Sequence, residues 1–113
     1  MLISPDDDLL AFEYFFAGFS LQNYELIKGK LPSPQPLTEN TFCCQMPELG
    51  MYTEIIARSM IGNVQKKATA IFVIATNENG AEKALMQYLD EEIGFMESRL
   101  RGMKKARASI DAY

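Results

Sequence analysis

The chain has no histidine, no tryptophan and only two cysteines in 113 residues. Without histidine there is no Ser-His-Asp triad, no mixed Cys/His zinc site and no Glu-x-x-His pair of the kind that builds carboxylate di-metal bundles. Cys43 and Cys44 are adjacent in sequence. Neighbouring thiols bridge each other only with strain, and two cysteines make no disulfide framework, so the pair reads as packing. Gly-rich phosphate loops are absent as well. No proline occurs in the 66 residues after Pro47, which leaves that whole stretch open to helix. The longest dense apolar run, "ATAIFVIAT", is too short to span a bilayer. The N-terminus, "MLISPDDDLL", carries acid where a signal peptide needs positive charge. These absences point to a soluble cytoplasmic protein with no cofactor, no metal and no catalytic motif.

Composition is that of an ordinary globular chain, 48% apolar and 23% charged, at a length suited to a single domain. The net charge of −4 is unevenly spread. Residues 1–47 hold six acids and two bases, and residues 48–98 hold eight acids and four bases. Residues 99–113 reverse the balance, with Asp111 against Arg99, Arg101, Lys104, Lys105 and Arg107. The acidic runs Asp6-Asp7-Asp8 and Asp90-Glu91-Glu92 have no calcium-loop spacing and read as solvated helix charge.

Periodicity suggests helices. Leu9, Phe12, Phe16 and Phe19 recur at spacings of three and four, thickened by Tyr14 and Phe15, and predict an aromatic-faced helix within residues 5–28. Ser4 and Pro5 would open it. Residues 29–47, with Pro32, Pro34, Pro36 and Pro47, form an extended connector. Further on, Ala57, Ile61, Val64, Ala68, Ile71 and Ala75 make one apolar seam, and Met86, Leu89, Ile93, Met96, Leu100 and Met103 make a second. Between them "TNENG" is a turn in which Asn79 and Glu82 have capping-box spacing.

The expected fold is therefore all-α. Helices over 48–76 and 80–109, roughly 43 and 45 Å long, form an antiparallel hairpin, and the N-terminal helix completes a three-helix bundle. Level positions in such a hairpin pair Glu48 with Arg107, Glu54 with Arg101, Arg58 with Glu97 and Lys66 with Asp90, all opposite in sign. The competing reading is α+β, with 69–76 as a strand rich in β-formers (Thr69, Ile71, Val73, Ile74 and Thr76) and "NTFCCQM" as its partner.

Two glycines inside the last helix call for an explanation, since each costs about 1 kcal/mol relative to alanine. Gly94, Ser98, Gly102 and Ala106 recur every four residues as a stripe of small side chains. Such a stripe permits close helix approach. The expected occupant is the Phe12, Phe15, Phe16 and Phe19 face or a partner helix. The function these features fit is a small protein-interaction module (subunit, adaptor, chaperone or regulatory factor) that presents a helix groove and self-associates, a dimer being favoured. One alternative is a nucleic-acid accessory protein using Arg99, Lys104 and Lys105, although no aromatic interleaving supports it. The other is an enzyme or small-ligand protein with a pocket under the Pro-rich connector, near Cys43 and Cys44.

Overall fold

The stretch "FFAGFS" is apolar on both of its faces, and both are covered. It forms β1 (Phe15–Ser20), the first strand in a computed structural model that describes Leu9 and residues 12–112. A turn leads into β2 (Leu26–Lys30), and the chain then crosses to a second sheet built from β3 (Gln35–Pro36), β4 (Thr41–Met46) and β5 (Met51–Ala57). It returns through β6 (Val64–Lys66) and β7 (Ala70–Ala75) before entering one long helix, α1 (Glu78–Asp111). Single 3₁₀ turns flank β5, at Pro47–Leu49 and Arg58–Met60. The first sheet has the order β2-β1-β7-β6 and the second β3-β4-β5, and all pairings are antiparallel.

The layers follow from side-chain alternation, because successive residues of a strand point to opposite faces. On the first sheet Phe16, Ala70, Phe72 and Ile74 face the second sheet and share a core with Phe42, Cys44, Met46, Met51 and Ile56. The intervening residues Ala17, Phe19, Val73 and Ala75 face the other way and pack against Ala81 and Leu85 of α1. The molecule is thus sheet on sheet, with the root of a helix as the third layer. The two central strands run close together. Gly18 lies opposite Phe72, and a Cβ at Gly18 would sit 2.7 Å from both the Ile71 carbonyl oxygen and Phe72 Cβ. No larger residue fits that crossing. Pro36 is tolerated because β3 is an edge strand, where a missing N–H breaks no ladder.

The architecture overturns the all-α bundle. Residues 48–76, expected as one arm of a hairpin, hold β5, β6 and β7. The reason is physical. A central strand buried on both faces is apolar at nearly every position, so "ATAIFVIAT" satisfies a 3.5 period as readily as a period of two. The same ambiguity misread "FEYFFAGFS". Its aromatic residues belong to a strand, and the helix expected over 5–28 gives way to β1 and β2. Ser4, Pro5 and Asp6 to Asp8 lie outside the described residues. Residues 70–75 are a strand, as the competing reading had it, but its neighbours are β1 and β6, while "NTFCCQM" pairs with β5 in the other sheet. Because residues 48–76 form strands and not a helix, the four proposed hairpin charge pairs lose their basis. Lys66 instead places Nζ 5.1 Å from the centre of the Tyr88 ring. The turn signal before α1 was sound in place but not in residue, for the N-cap is Asn77 rather than Asn79.

Candidate partner-docking helix

Helix α1 starts where Asn77, in an extended conformation, accepts a hydrogen bond from the Gly80 N–H at 2.5 Å. Such a cap contributes about 1 kcal/mol. The first turns are held in three ways. Ala81 and Leu85 are buried against the first sheet, and Ala84 and Leu89 pack beside them. Lys28 on β2 donates to Glu82 at 2.8 Å and lies 3.5 Å from Glu78. The hydrogen bond and charge of Glu82, with a smaller contribution from Glu78, raise the Lys28 ammonium above its ordinary value. The Tyr88–Lys66 contact adds a third point of attachment.

Beyond that root the helix stands free. Every residue from 93 to 112 is exposed, and the molecule measures 72 × 29 × 23 Å. At 1.5 Å per residue the exposed part of the rod is roughly 28 Å long. The Met/Leu/Ile seam expected in a hairpin core is therefore open to water. Met86, Ile93, Met96, Leu100 and Met103 are 51–64% exposed, and Ile110, which continues the same phase, is 71% exposed. Only Arg107 interrupts the series, and it lies 3.9 Å from Asp111.

The small-residue stripe lies on the other side of the rod. At about 100° per residue, Gly94, Ser98 and Gly102 fall well over a third of a turn from the seam, while Ala106, four residues on, has drifted round to its flank. All four are exposed, and a Cβ built on Gly94 or Gly102 meets nothing within 4 Å. The structure does not bring the Phe residues to them. Phe16 and Phe19 are buried on opposite faces of the first sheet, Phe15 is half-buried on β1 and Phe12 is 61% exposed. The glycines thus have no packing neighbour among the described residues. Arg99, Lys104 and Lys105 are exposed on the distal half of α1, and Arg99 lines a shallow groove with Met96, Leu100 and Met103.

At the root the seam runs into an apolar socket that sequence reasoning missed. Phe19, Tyr24, Leu26, Leu85, Met86 and Leu89 enclose about 220 Å³ there, with Glu82 at the rim. Tyr24 and Leu26 come from the β1–β2 hairpin and are 69% and 56% exposed. The Tyr24 ring stacks on Phe19 with centroids 5.6 Å apart. Its backbone is left-handed, φ 60°, an unusual conformation for a bulky residue. The turn is tied by bonds from the Gln22 N–H to Ser20 Oγ and from the Glu25 N–H to Asn23 Oδ1. The available signal was "SLQNYE", whose Ser and Asn are turn formers between two apolar runs.

The cysteine region is a second depression, formed by Pro32, Ser33, Gln35, Cys43, Cys44, Gln45 and Thr53. Both thiols are free, and burial, with help from Glu54 and Cys43, pushes the Cys44 thiol up to about 12. Cys44 is therefore no thiolate nucleophile at neutral pH. Among the described residues no group of three or more His, Cys, Asp or Glu is placed to hold a metal ion, and no helix is long and apolar enough to cross a membrane. Comparison with known proteins finds no matching family model, no matching curated protein and no matching solved structure.

Proposed function

We propose that this chain is a protein-interaction module, a subunit, adaptor, chaperone or regulatory factor, whose docking surface is the apolar seam of α1. One observation carries the reading. Six large apolar side chains of α1, in a three-four phase interrupted only by Arg107, stand more than half exposed, five of them on the continuously exposed segment beyond residue 92. Exposed apolar surface of that extent marks interaction sites in soluble proteins. The energetics agree. A free-standing helix of this length is marginal in water, and Gly94 and Gly102 weaken it by about 2 kcal/mol together. A partner lying along the seam supplies the packing that the rod lacks, in the manner of helix-in-groove recognition.

The reading is tested by photo-crosslinking in the native host. A benzophenone side chain placed at position 96 or 103 should crosslink to protein, while the same group at 98 or 105, on the opposite side of the rod, should not. Equal yields from the two sides, or none from either, would refute a seam-specific docking surface.

A further inference from the structure

The geometry points to a specific occupant of the seam: a second copy of this chain, its helix running antiparallel, with each distal tip seated in the other copy's socket. The inference rests on the seam being a protein-docking face, and it adds the partner and the direction.

Charge provides the first argument. Along α1, residues 78–98 hold six acids (Glu78, Glu82, Asp90, Glu91, Glu92 and Glu97) against Lys83. Residues 99–111 hold five bases against Asp111. The rod is negative at its root and positive at its tip. A parallel copy lays like charge on like charge over the full overlap. An antiparallel copy lays each basic tip along an acidic root.

The heptad phase carries the argument to single residues. With Met86, Ile93, Leu100 and Arg107 at one seam position and Leu89, Met96, Met103 and Ile110 at the other, the flanking positions hold Asp90, Glu92, Glu97, Arg99, Lys104, Ala106 and Asp111. A parallel, in-register pair sets Glu92 against Glu97 and Arg99 against Lys104, each twice, and offers no opposite-sign flanking contact. In the antiparallel pair with complete overlap, Met86 meets Ile110, Ile93 meets Met103 and Met96 meets Leu100. Asp90 then flanks Lys104 twice. Glu97 and Arg99 each meet their own counterpart near the two-fold axis, so two attractive contacts stand against two repulsive ones. The antiparallel register is the better balanced.

The socket is the second, independent argument. Full antiparallel overlap brings Ile110 of one copy level with Met86 of the other, and Met86 lines the apolar recess of Phe19, Tyr24, Leu26, Leu85 and Leu89. The seam and the recess are thus one continuous apolar track whose end lies where a partner's tip arrives. The six exposed seam side chains offer on the order of 600 Å² per copy, about 1,200 Å² in the pair before the socket is counted, which reaches the range of specific protein interfaces. Gly94 and Gly102 face outward in this arrangement and play no part in it.

The test uses the full chain with its native cysteines. In the Met86→Cys/Ile110→Cys double variant, mild oxidation should give a covalent dimer whose linked peptides join position 86 to position 110, with unmodified protein as the control. A dimer joined 86 to 86 and 110 to 110 would overturn the antiparallel arrangement. A strict monomer in light scattering at high micromolar concentration would overturn self-association. Either result leaves the docking reading standing if photo-crosslinks still arise only from 96 and 103, to a second copy in the first case and to a protein of another mass in the second. A charge exchange tests the register. Lys104→Glu should weaken the dimer about tenfold at low salt, and adding Asp90→Lys should restore it. Failure of the second change to restore association would overturn the proposed pairing.

Discussion

Replacing Gly94 and Gly102 with alanine tests whether the outer side of the rod is empty. An added Cβ meets nothing within 4 Å at either position, so no clash opposes the change. What remains is the intrinsic helix preference of alanine, about 1 kcal/mol at each site. Together the two substitutions should stabilise the distal helix by about 2 kcal/mol, close to thirtyfold in its opening equilibrium. That gain is local, because residues 93–112 are exposed and do not pack on the sheets. Amide hydrogen exchange read peptide by peptide is the suitable assay. Peptides within 93–111 should exchange about thirtyfold more slowly at most, peptides from β1 and β7 should be unchanged, and the oligomeric state should be preserved. Faster exchange in the helix, or loss of association, would refute the reasoning. The methyl groups would then be colliding with something on that face, and the stripe would be a contact surface after all.

Two further predictions concern the body. Gly18→Ala forces a methyl to within 2.7 Å of Phe72 Cβ and the Ile71 carbonyl oxygen, so the urea midpoint should fall by the equivalent of about 1–3 kcal/mol, with no change in how isolated α1 positions exchange. For Cys44 the sign follows from burial, which raises the folded-state thiol from 9.0 to about 12. The unfolded thiol ionises first, so this contribution to stability is intact below pH 9 and is lost progressively as pH rises from 9 towards 12. Unfolding measured across that window should show a pH slope that Cys44→Ala reduces, and alkylation at pH 8 should label the half-buried Cys43 well ahead of Cys44.

The last third of the fold was legible and the first two thirds were not, for one physical reason. Helix α1 alternates apolar and charged residues with a clear 3.5 period, and because much of it touches nothing, no tertiary contact distorts that pattern. Strands β1 and β7 are covered on both faces, so their sequences carry no alternation to distinguish them from a buried helix. Gly18 falls inside the helix expected over 5–28, whereas its role is a close strand crossing. The seam was correctly phased but wrongly partnered. A periodic apolar stripe marks one face of a helix, and nothing in the stripe itself says whether its own chain packs there. The socket was invisible because Tyr24 and Leu26 approach Met86 only after β1 and β2 have folded back beside the helix root.

Lys28 has a mechanical consequence. Its ammonium latches Glu78 and Glu82 at the pivot of a lever about 51 Å long. A rock of about five degrees at that pivot swings the far end by about 4 Å, close to the rise of three helical residues. That latch, with the buried Ala81 and Leu85 and the Lys66–Tyr88 contact, sets where the arm points.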